Sequence, residues 1–133
     1  MRLTPELRRQ FDCELEAVLA GLPDELTRLF DEIPLVVEDY PSGQMLEELD
    51  VERPEYLRGV HSGIPLTKRS VEHSGVLPTV ITIYRLGICD ASADRRGSIT
   101  PAALTREIRK TILHELGHHF GMNEDDLRRY GYG

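Results

Sequence analysis

The chain has no tryptophan, only two cysteines and an aromatic share of 6%, and each shortage narrows what it can do. Scarce aromatics leave few platforms on which single-stranded bases can stack. The formal net charge of -7 repels phosphate backbones, and the arginines are scattered among acids without forming a basic stripe, so nucleic acid is not an expected partner. Cys13 and Cys89 are too few for a disulfide scaffold and are expected as thiols of a reducing compartment. The longest apolar stretches, IPLVV and VLPTVITIY, are strand-sized against the roughly 20 residues a membrane-spanning helix needs, so no membrane partner is expected either. The opening segment MRLTPELRRQFDCELEAVLA mixes acids and bases along a helical pattern, the opposite of a signal peptide's unbroken apolar middle. The expected location is cytoplasmic.

What is present reads as one folded unit. With 133 residues, 40% of them hydrophobic and 29% charged, the chain can bury one core, and a single domain over 1–133 is expected. Thr4-Pro5-Glu6 is a helix start, a capping hydroxyl followed by a proline at the first helical position. Leu7, Phe11, Leu15 and Leu19 recur at helical spacing up to Gly21. Pro23-Asp24-Glu25 opens a shorter helix with Leu26, Leu29 and Phe30 inward. Leu35-Val36-Val37-Glu38 predicts a strand ended by the turn residues Tyr40-Pro41-Ser42-Gly43, and 43–54 predicts a surface loop or short helical turn. Tyr56–Val60 and Ile64–Thr67, broken by Gly59 and Gly63, predict an irregular strand or hairpin at a sheet edge, where Pro65 is tolerated. Thr79–Arg85 is the strongest strand, alternating Val80, Thr82, Tyr84 against Ile81, Ile83, Arg85 and expected inside the sheet. Residues 90–98 lack periodicity and predict a flexible loop. Thr100-Pro101 starts the last long helix, with Leu104, Ile108, Ile112, Leu116 and Phe120 on one face, Gly121 closing it and Asn123 capping a short helix to Tyr130. The expected fold class is α/β (α+β).

Within that helix stands His114-Glu115-Leu116-Gly117-His118. An HExxH pattern on a helix puts both imidazoles on one face, one turn apart, where they can grip one ion. Glu115 lies about 100° round the helix from His114, off the ligand face but placed to accept a proton from metal-bound water. Zinc is the expected ion, since it takes imidazole and carboxylate ligands and keeps an open position for water in catalytic sites. His119 is expected to point elsewhere on the helix, and Gly117 to permit close packing. His61 and His73 are expected in loops, without metal-ligand spacing. Arg85, Tyr130 and Tyr132 are candidates for stabilising an oxyanion.

The extended stretch HELGHHFGMNEDD resembles HExxHxxGxxD/E, the signature of single-zinc peptidases. The segments LPDELTRLFDEIPLVVEDYPS, GIPLTKRS, TVITIYR and TILHELGHHFG followed by acids resemble, in that order, the bacterial mini-zincins, minimal metzincin-like zinc metallopeptidases. The resemblance spans roughly residues 4 to 130, with the HExxH stretch its specific part. It implies a compact zincin-like domain, a three- or four-stranded sheet beside the metal helix. It also implies that His114 and His118 are metal ligands, Glu115 the general base and Glu124 the third ligand, with Asp125 the alternative.

The expected function is therefore hydrolysis of peptide bonds by Glu115-activated, zinc-bound water, on a peptide or protein substrate docked at the sheet edge around Gly63–Leu66. The alternative is a non-catalytic metal-binding or protein-interaction module on a zincin scaffold. Glu115 favours catalysis, since a structural site needs no base.

Overall fold

Two long helices open on threonine hydroxyls. Thr4 Oγ1 accepts a hydrogen bond from the Leu7 N–H at 3.1 Å, and Thr100 Oγ1 one from the Ala103 N–H at 3.1 Å. Each is followed by a proline at the helix start, whose missing N–H costs nothing there. These caps begin α1 (Pro5–Gly21) and α5 (Pro101–His119) in a computed structural model that describes residues 1–62, 79–121 and 123–129, with only the backbone of Glu124, Asp126 and Leu127. The other elements are α2 (Asp24–Leu29), β1 (Leu35–Glu38), α3 (Gly43–Glu48), a 3₁₀ turn (Pro54–Tyr56), β2 (Gly59–Ser62), β3 (Val80–Tyr84), α4 (Arg85–Ser92) and α6 (Glu124–Arg129). Ile64–Thr67 and the Gly63–Leu66 edge lie outside the described residues, as does His73.

The strands form a mixed sheet in the order β1-β3-β2. β3 pairs parallel with β1, Leu35 opposite Ile81, and antiparallel with β2, His61 opposite Ile81. The strand expected inside the sheet is thus the central one. Its alternation does not sort into a wet and a dry face, because Ile81, Thr82, Ile83 and Tyr84 are all buried, as expected of a strand covered on both sides. Phe11, Leu15 and Val18 of α1, Ile88 and Cys89 of α4, and Leu104, Ile108, Ile112 and Leu116 of α5 form one core with Ile81 and Ile83. The α+β fold class with its small sheet is what the sequence led one to expect.

Two expectations need correction. The chain passes from β3 into α4 without a turn, so residues 85–92 are helical where 90–98 was expected to be a flexible loop. Only the remainder turns, and hydrogen bonds tie it: Asp94 Oδ1 accepts from the Arg96 and Ser98 N–H groups at 2.8 and 2.9 Å, with Gly97 at a φ of 83°. Phe120, placed on the buried face by periodicity, is 57% exposed. The helix ends at His119, and Gly121 takes a φ of 80° as expected of a closing glycine, which releases Phe120 from the core face.

Both cysteines are free thiols, Cys13 exposed and Cys89 buried. Burial pushes the Cys89 thiol up to about 11, with the nearby Arg85 charge pulling weakly the other way. Since the thiolate is the nucleophile, native protein at about pH 8 is expected to show one rapidly alkylated cysteine, identified as Cys13 by peptide mapping. Cys89 should react only after unfolding, and rapid double labelling of folded protein would contradict this packing.

Candidate metal centre

Leu104, Ile108, Ile112 and Leu116 fasten one face of α5 into the core, which leaves His114, Glu115 and His118 half-buried on its flank. The two imidazoles of the pattern meet: His114 Nε2 and His118 Nε2 are 3.0 Å apart, with ring centroids 4.5 Å apart and the planes at 80°. Glu115 faces β2. A Cβ built on Gly59 would lie 3.0 Å from Thr111 Cγ2, 3.1 Å from the Thr82 carbonyl oxygen and 3.4 Å from Glu115 Cγ, so the strand passes close to α5 because residue 59 has no side chain. His114 and Glu115 both line a cleft of about 290 Å³, walled by Tyr56, Leu57, Arg58, Gly59, Lys110 and Thr111. Arg58 lies 3.8 Å from Glu107, whose buried Oε2 it balances.

His61 is not in a loop. It sits on β2, which carries its ring to the end of α5, and its Nε2 is 3.1 Å from His119 Nδ1. Partial desolvation of its ring foremost, then the neighbouring His119 and His118, lower the His61 pKa from its ordinary value, although the residue as a whole is exposed. His119 does turn away from the His114–His118 pair, but toward His61 and against the edge of Phe120, with ring centroids 4.9 Å apart. Sequence spacing carries no sign of this pairing, because residue 61 reaches the helix only through the β2–β3 ladder.

Arg85 belongs to the scaffold: it donates to Asp12 at 2.8 Å and Asp39 at 3.1 Å and lies over the Phe11 ring. Hydrogen bonds from Arg8 foremost, and then from Arg85, hold the Asp39 carboxyl below its ordinary range. The Arg85 guanidinium is thus engaged by Asp12 and Asp39. Tyr130 and Tyr132 lie outside the described residues. Gly117 is buried, as its expected packing role requires.

Glu124 begins α6, directly after the Gly121 turn and Asn123, and only its backbone is described. Asp125, the alternative third ligand, is exposed and paired with Arg128 within the same helix. Among the described residues no group of three or more His, Cys, Asp or Glu side chains converges on one point.

The model of the zincin-like metallopeptidase family matches residues 30–132, which takes in the whole of α5 and the sheet. The chain belongs to this family. No curated protein matches it. Zincins as a family imply zinc, and the donor set fits: two Zn–N bonds of about 2.0–2.1 Å are spanned by nitrogens 3.0 Å apart, the Nε2 of each ring. No helix among the described residues of this zincin-like chain is long and apolar enough to cross a membrane.

Proposed function

We propose that this zincin-like protein is a zinc-dependent peptidase, with His114 and His118 holding the ion, Glu124 completing the ligand set and Glu115 acting as general base. The observation that carries this reading is the 3.0 Å approach of the two Nε2 atoms beside a cleft that Glu115 also lines. A bound zinc ion supplies Lewis acidity and brings the pKa of water toward about 7.

The chain's own residues supply the rest. Glu115, its Cγ 3.4 Å from where a side chain at residue 59 would begin, takes the proton of the attacking water and returns it to the leaving amine. Buried leucines and isoleucines fix α5, so both imidazoles are set before substrate arrives. β2 is an edge strand of the described sheet and leads into the cleft wall at Arg58 and Gly59. An extended peptide laid along this sheet edge gains backbone hydrogen bonds with little demand on its side chains.

Metal analysis and a peptide pool test the proposal together. Purified protein is expected to retain zinc through dialysis and to cleave members of a mixed peptide pool, with a chelator stopping cleavage and added zinc restoring it. A zinc-loaded protein that leaves the pool intact across neutral pH favours the non-catalytic metal-binding module instead.

A further inference from the structure

Four of the chain's five histidines stand at one end of α5, and they fall into two pairs. The second pair, His61 Nε2 and His119 Nδ1 at 3.1 Å, has nearly the nitrogen spacing of the HExxH pair at 3.0 Å. We infer that His61 and His119 form a second, weaker site for a divalent transition-metal cation, next to the first and independent of Glu115.

The geometry supports chelation on three counts. The two donors come from different elements that are each held rigidly: His61 through the β2–β3 ladder opposite Ile81, and His119 through the last turn of α5, where its ring packs against Phe120. A chelate on two prepositioned rings gives up little side-chain freedom on binding. The ring nitrogens already face one another across 3.1 Å, a separation that two metal–imidazole bonds of about 2.0–2.1 Å can bridge once the shared proton leaves. His61 is also exposed, so solvent can fill the remaining coordination positions. Imidazole pairs of this kind suit zinc, copper and nickel ahead of magnesium or calcium. With two protein ligands the site is weaker than one with three, so it fills only as free metal rises.

Zinc titration of the full chain by calorimetry, with equilibrium dialysis as a check, reads the stoichiometry directly. Wild type is expected to bind two equivalents, one tight and one weak. His61→Ala and His119→Ala should each lose the weak equivalent and keep the tight one, and His114→Ala should do the reverse. Circular dichroism verifies the fold of each variant, and His61→Gln serves where His61→Ala does not fold. Zinc binding that is unchanged from wild type in both the His61 and His119 variants, whether one equivalent or two, overturns the inference. Neither outcome depends on whether peptides are cleaved, so a failure of the peptidase reading remains separate.

Discussion

Glu115→Gln is expected to lower cleavage of the peptide pool by about 10²- to 10⁴-fold, the range spanned by loss of a positioned general base, while leaving the zinc content at its wild-type value. The two effects separate because of where the residues stand. Glu115 is about 100° round α5 from His114, and it lines the cleft beside Gly59, whereas the two nitrogens that meet at 3.0 Å are those of His114 and His118. Glutamine keeps the shape of the side chain and the packing against β2 but cannot take a proton at neutral pH. His114→Ala removes one of two nitrogens lying 3.0 Å apart and is expected to cost both metal and turnover. An unchanged rate for Glu115→Gln, in protein shown by metal analysis to hold zinc, would remove the general-base role and with it the proposed mechanism. A drop in zinc content with Glu115→Gln would instead make the carboxylate a ligand.

The features that could be read from the sequence are those carried by neighbours along the chain. The two threonine-proline starts, the Leu35–Glu38 strand and the left-handed Gly121 depend on local chemistry, and each lies where it was expected. The meeting of His114 and His118 follows from helical periodicity alone. What escaped depends on contacts between distant segments. α4 is short, contains Gly87 and grows straight out of β3, so no turn residue separates the two periods and no capping side chain marks the helix start at Arg85. Phe120 continues the spacing of the buried face, yet the end of the helix decides its exposure. His61 acquires its partner only because β3 pairs with β2 and brings residue 61 to residue 119. The acid that follows Gly121 is undecided by spacing, since Glu124 and Asp125 are adjacent. In the structure Asp125 pairs with Arg128 of the same helix.

Gly87→Ala is expected to destabilise the protein by about 1–3 kcal/mol, the usual cost of forcing a methyl group into a filled space, although alanine is the better helix former by about 1 kcal/mol. The steric side wins because what stands in the way is backbone. A Cβ at residue 87 would lie 2.3 Å from the Leu57 carbonyl oxygen and 2.8 Å from the Leu57 carbonyl carbon. That segment has little room to retreat, since the Tyr84 N–H donates to the Arg58 carbonyl at 2.8 Å and the space beside residue 59 is so filled that even a Cβ there would lie 3.0 Å from Thr111 and 3.1 Å from the Thr82 carbonyl oxygen. Thermal unfolding should show a Tm lowered by roughly 5–10 °C for a chain of this size. Gly21→Ala is the matched control: it too is helical, but nothing lies within 4 Å of its added Cβ, so its Tm should hold or rise. If Gly87→Ala melts with wild type, α4 does not press on the Leu57–Gly59 segment as described. If it melts early, the same displacement should reach the cleft, because Leu57, Arg58 and Gly59 line it together with Glu115.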